Sequence, residues 1–169
     1  MFITLQELEL HRVTVSETYE PGALDFQETK FRQAGPLKVN AEAELAGGEI
    51  QVRGHISGDL EAACDRCLEQ MRFPVDIDFD LPYRPMEEIA REEELEVGAD
   101  ELTVGFFSGD GVNLADVVRE QVLLSVPMKT VCRPDCRGLC PVCGANRNLR
   151  ECGCSVQHKD SPFAFLKKN

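Results

Sequence analysis

The chain is poor in the residues that most often carry catalysis or cross membranes. Its 169 residues include three histidines, two tyrosines and no tryptophan. His11 and His55 fall in stretches that read as strands and bring no partners, and His158, just past the last cysteine, is at most a spare metal ligand. No Ser-His-Asp arrangement, glycine-rich phosphate loop or paired-carboxylate pocket can be assembled, so neither an enzyme nor a small-molecule substrate is expected. No apolar run approaches the ~18–20 residues of a membrane span. The first residues, Met-Phe-Ile-Thr-Leu-Gln-Glu, lack the basic and apolar segments of an export signal. These absences predict a cytoplasmic protein with no membrane partner. Residues 108–162 contain no aromatic side chain. That argues against reading single-stranded nucleic acid by base stacking.

Cysteine is what the chain has instead. Six of its eight cysteines lie between Cys132 and Cys154, among Gly138, Pro141, Gly144 and Gly153. Without any sign of an oxidising compartment, such a cluster favours metal ligation over disulfides. Cys140-Pro-Val-Cys143-Gly144 reads as a metal knuckle. Two thiolates three residues apart can point into one tetrahedron, and the glycine lets the backbone turn so that its amides face the sulfurs. Cys132/Cys136, Cys152/Cys154 and Cys64/Cys67 are the other pairs.

Two groupings are open. Cys132, Cys136, Cys140 and Cys143 can close one site locally. Alternatively Cys140/Cys143 joins Cys152/Cys154, and Cys64/Cys67 meets Cys132/Cys136. Either way the expected cofactor is structural Zn²⁺, one ion or two, with a Cys₄ iron–sulfur cluster as the rival. Cys64/Cys67 alone also has a reading as a redox dithiol, although such pairs gain their low thiol pKa at a helix N-terminus and this one lies among strands.

Strand periodicity dominates the rest. Leu8, Leu10, Val13 and Val15 alternate near the N-terminus, and Val39, Ala41, Ala43 and Leu45 alternate after Gly35-Pro36. Gly47-Gly48 supplies a two-residue turn, Ser57-Gly58 suggests a second, and Phe73, Val75, Ile77, Phe79 and Leu81 alternate with aspartates. Leu102–Phe107 reads as a further strand. Asn113 or Asp110 caps a helix over 113–125 whose apolar residues recur at helical spacing, and Pro127 stops it. The expected fold is mainly β within the α+β class: a small antiparallel barrel or twisted sheet, one covering helix, and a C-terminal Cys-rich zinc module. We expect residues 1–127 to form the body, with an acidic loop at 87–101, and residues 128–169 to form the module and its basic tail.

Charge divides along the same line. Residues 1–118 hold 9 Lys/Arg against 26 Asp/Glu, whereas residues 119–169 hold 9 against 4. Lys129, Arg133, Arg137, Arg147, Arg150 and Lys159 interleave with the knuckles and form a candidate surface for RNA phosphates, to which the guanidinium fork is matched. Thiolates also bring negative charge that basic neighbours offset, and this accounts for the same pattern without nucleic acid.

The order of these features carries a resemblance. Cys64-Asp-Arg-Cys67 precedes an alternating strand and a helix ending at Ser125-Val-Pro127. Then come Cys132-Arg-Pro-Asp-Cys136-Arg-Gly-Leu-Cys140-Pro-Val-Cys143-Gly-Ala-Asn146-Arg-Asn148 and Cys152-Gly-Cys154. From about residue 36 to the end this is similar to the bacterial YceD family. The resemblance implies a role in accumulation of large-subunit ribosomal RNA and in assembly of that subunit. The implied partner is ribosomal RNA or a pre-ribosomal particle, and the acidic body of the chain is suited to a basic ribosomal protein. Ser161-Pro162-Phe163 departs from the Asp-Pro-Arg the family leads one to expect. Two other functions fit the residues: a chaperone for a ribosomal protein without RNA contact, and a thiol redox protein using Cys64/Cys67.

Overall fold

Alternation builds most of what is seen. The computed structural model describes residues 1–26, 29–86 and 104–154. The acidic stretch 87–101 and the tail from 155, with His158 and Lys159, lie outside them. In chain order the elements are β1 (Phe2–Thr4), α1 (Leu5–Leu10), β2 (Val13–Tyr19), β3 (Arg32–Gln33), β4 (Leu37–Ala46), β5 (Glu49–Ala63), β6 (Gln70–Pro85), β7 (Gly105–Phe107), β8 (Gly111–Asn113) and α2 (Leu114–Ser125). The chain divides into two units, Met1–Ala62 with Arg72–Met128, and Ala63–Met71 with Lys129–Asn169.

In the first unit β2, β4, β5, β6 and β7 are neighbours in that order, β3 pairs with β5, and β1 pairs with β8. The sheet is open, so the twisted-sheet form of the expectation holds and the barrel does not. Its buried face carries Val39, Ala41 and Ala43 of β4, Ile50, Val52, Ile56 and Leu60 of β5, and Val75 and Phe79 of β6. Asp76, Asp78 and Asp80 point outward between them. Leu114, Val117, Val118 and Val122 of α2 belong to the same core. Each fully buried aliphatic side chain contributes about 1.5–3 kcal/mol from apolar burial. α2 starts as its cap predicts, with Asn113 Oδ1 accepting from the Ala115 amide at 3.3 Å. Among the described residues no helix is long and apolar enough to cross a membrane.

Four local expectations fail for identifiable reasons. Leu8 and Leu10 lie in a helix rather than a strand, because Thr4 and Glu7 close a reciprocal capping box at its start. Gly58 is not a turn but lies inside β5, whose pairing passes from β4 (as far as Ser57) to β3 (at Leu60). A Cβ there would stand 2.7 Å from Leu37 Cδ2 and 2.8 Å from the Pro36 carbonyl oxygen, so close approach of another segment selects the glycine. β7 runs parallel to β6. Residues 86–104 connect them, longer than the dozen or so that a parallel return needs. His55 is not without partners, since its ring nitrogens lie 3.2 Å from Asp76 and 2.9 Å from Asp78, and His11 ends α1 rather than lying in a strand.

Candidate metal centre

The second unit is built on cysteine turns. Cys64, Cys67, Cys132 and Cys136 form one group and Cys140, Cys143, Cys152 and Cys154 another, with the sulfurs of each group all within 4.8 Å of one another. This is the second of the two groupings left open by the sequence, and it uses all eight thiols. None of them is in a disulfide.

The spacing suits one ion per group. Four thiolates at ~2.3 Å from a shared ion stand about 3.8 Å apart at the corners of a tetrahedron. Cys64 and Cys136 sulfurs are 3.9 Å apart, and those of Cys67 and Cys132 are 3.7 Å apart. Thiolates bound to different irons of a cluster would have to stand farther apart than thiolates sharing one ion. Nor do Cys64 and Cys67 form an isolated dithiol, since two further sulfurs crowd them.

The two Cys-x-x-Cys turns have the same backbone. The Leu68 amide donates to the Cys64 carbonyl at 3.0 Å, and the Gly144 amide donates to the Cys140 carbonyl at 2.9 Å. The residue after the second cysteine is left-handed in both, with φ +72° at Gly144 and +62° at Leu68. Glycine adopts that conformation freely, whereas leucine is strained in it. Leu68 is 61% exposed, so no burial compensates the strain. The missing glycine is why Cys64-Asp-Arg-Cys67 is the weaker sequence signal of the two.

Amides pointed at the sulfurs tune them. Burial alone would raise Cys64, but amides from Cys132, Cys67 and Arg66 bring its thiol down to about 6. The Arg66 and Cys132 amides each lie 3.4 Å from that sulfur. Cys140 is likewise lowered to about 6, by the amides of Cys143 and Val142. The Asn148 side-chain amide is the foremost cause lowering Cys136. The Glu69 amide favours the Cys67 thiolate, yet burial and the neighbouring thiols carry Cys67 up to about 12. The Cys143 and Cys152 thiols, with burial, push Cys154 to about 12. Burial and the neighbouring thiols also raise Cys132. Each group thus sets at least one lowered thiol beside at least one that is raised and gives up its proton when a cation binds.

The loops around the first group interlock. The Thr130 amide donates to the Asp65 carboxylate at 2.7 Å, and the Thr130 hydroxyl donates to the Ala63 carbonyl at 3.3 Å. The Leu139 amide donates to the Arg66 carbonyl at 3.0 Å, and the Arg66 guanidinium donates to the Cys136 carbonyl at 3.0 Å. Arg66 is thus a basic residue of the centre that the sequence pattern of basic residues did not single out. Lys129, Arg133, Arg137, Arg147 and Arg150 are all exposed, with Arg133 paired to Asp135 at 3.5 Å and Arg137 to Glu151 at 3.3 Å.

The family model described as "Large ribosomal RNA subunit accumulation protein YceD" matches residues 52–168. An uncharacterised protein of Mycobacterium tuberculosis is 27% identical over 140 residues, 80% of this chain and 61% of its own length. The chloroplastic large ribosomal RNA subunit accumulation protein YCED homolog 1 of Arabidopsis thaliana is 21% identical over 199 residues, 96% of this chain and 59% of that protein. An uncharacterised Bacillus subtilis protein is 21% identical over 131 residues, 78% of this chain and 72% of its own. The chain thus spans about three fifths of the mycobacterial and plant relatives. No solved structure matches it.

Proposed function

The chain belongs to the YceD family, and from that premise we propose that it is a non-enzymatic factor for large-subunit ribosomal RNA accumulation whose two Cys₄ groups hold structural zinc. The observation that carries the zinc half is the gathering of all eight thiols into two groups, each within 4.8 Å. A d¹⁰ ion in a closed thiolate site offers no open coordination position and no redox step, so its work is to fix the loops. Those loops carry Arg133 and Arg137 between ligands of the first group and its successor, and Arg147 and Arg150 between Cys143 and Cys152. Held in place, they offer guanidinium forks to RNA phosphates, and shape rather than base identity guides the contact.

The test is purification of the intact chain from its own cells at low salt, followed by sequencing of the bound RNA. Large-subunit ribosomal RNA should be enriched. Its binding should weaken by roughly 0.7–0.9 log units per log unit of salt for each phosphate neutralised. Salt-insensitive association, or none, contradicts RNA contact. Asp76, Asp78 and Asp80 on the exposed face of β6 favour a second reading, in which a basic ribosomal protein is the partner. A protein partner survives nuclease treatment during purification, and an RNA partner does not.

A further inference from the structure

We propose that Asn148 couples the two metal sites, so that filling one tightens the other. The inference rests on the zinc reading above. Asn148 lies in the loop between Cys143 and Cys152, two ligands of the second group, yet its side chain reaches a ligand of the first. Its Nδ2 donates to Cys136 Sγ at 3.3 Å, while its Oδ1 accepts from the Arg137 amide at 2.8 Å. The orientation follows from chemistry, because the Arg137 amide can only donate and so must face the oxygen, leaving the amide nitrogen for the sulfur.

The rest of the loop holds that side chain in place. The Asn148 amide donates to Asn146 Oδ1 at 2.9 Å, and the Leu149 and Arg150 amides both approach the Asn146 carbonyl at 3.2 Å. Leu139 and Asn146 form an antiparallel bridge, flanked by Arg147 donating to the Gly138 carbonyl at 2.9 Å and Cys140 donating to the Ala145 carbonyl at 2.8 Å. The segment 136–140 therefore joins a ligand of the first site to a ligand of the second, and residues 145–148 brace it. An ion on Cys140, Cys143, Cys152 and Cys154 closes the 144–151 loop and fixes Asn148 against Cys136. An ion in the first site fixes Cys136 and, by the same contact, the loop. Coupling of this kind is reciprocal.

A donor to a ligating atom is commonly worth ten- to a hundredfold in metal affinity. Zn²⁺ constants are measured on the full chain, under reducing conditions, by competition with a chromophoric chelator. Cys152→Ser/Cys154→Ser isolates the first site and Cys64→Ser/Cys67→Ser the second. The intact chain should bind two ions with a combined constant about ten- to a hundredfold above the product of the isolated-site constants. Asn148→Ala should bring that factor to about one. Asn148→Asp should do the same, since it keeps the acceptor for Arg137 but sets a carboxylate against the sulfur. In chains with all eight cysteines, the binding curve should become less steep with either Asn148 variant. Two ions bound independently in the wild type, or coupling that survives both Asn148 variants, overturns the inference alone. A wild-type chain that binds no ion overturns the zinc reading and the inference with it.

Discussion

Replacing Gly138 by alanine should weaken metal uptake more than the same change at Gly144. Both glycines are left-handed, at φ +68° and +72°, so both substitutions carry the backbone cost of about 1–2 kcal/mol, partly offset by about 0.4–1 kcal/mol from a less flexible unfolded chain. The surroundings differ. A Cβ on Gly144 meets nothing within 4 Å, whereas one on Gly138 stands 2.9 Å from the Arg66 carbonyl oxygen and 3.4 Å from Arg66 Cβ. That oxygen cannot retreat freely, because it accepts from the Leu139 amide at 3.0 Å. Overpacking against a fixed group costs about 1–3 kcal/mol. Because forming the site and binding the ion are one process, the difference should appear as about 5- to 150-fold in metal affinity at 1.4 kcal/mol per decade. Chelator competition on the two variants, side by side, measures it. If Gly138→Ala binds within about twofold of Gly144→Ala, the close approach of Gly138 to Arg66 is not part of the metal centre.

The same reasoning gives an opposite sign at Leu68. Leu68→Gly releases about 1–2 kcal/mol of left-handed strain and loses about 0.5–1 kcal/mol to glycine's flexibility, a mid-range gain of about 0.75 kcal/mol, so metal affinity should rise by about threefold, and by no more than about twelvefold, in the same assay. With Cys67 and Cys154 held up at about 12, each ion should displace at least one proton at pH 7.5. Affinity should therefore rise with pH, and should fall more steeply once pH drops toward 6, where Cys64 and Cys140 also take up protons. The buffer dependence of the calorimetric binding enthalpy measures that release, and its absence contradicts the assignment. Leu114 is fully buried in the core of the first unit. Leu114→Ala should destabilise that unit by about 2–5 kcal/mol in urea unfolding while leaving metal stoichiometry unchanged.

Much of the fold could be read from pattern. Val39, Ala41 and Ala43 announced the inner face of β4, and Gly47-Gly48 the turn into β5, with φ +63° and +91°. The Cys140-Pro-Val-Cys143-Gly144 knuckle was equally plain, because its glycine is the residue the geometry demands. What escaped depended on distant contacts. Gly58 looks like a turn until Pro36 and Leu37 are seen against it. The parallel return of β7 depends on what lies between strands rather than on β7 itself. Cys64 and Cys67 stand more than sixty residues before Cys132. Spacing along the chain therefore allowed their partnership without selecting it. Asn148 and Arg66 were invisible as supports because a side chain that serves a sulfur in another loop leaves no periodic trace.

The eight thiols, gathered four and four, should hold two single ions. Native mass spectrometry of the intact chain, purified under reducing conditions without chelator, tests it most directly. Two zinc ions per chain are expected. A chain carrying no metal, or iron with inorganic sulfide, contradicts it.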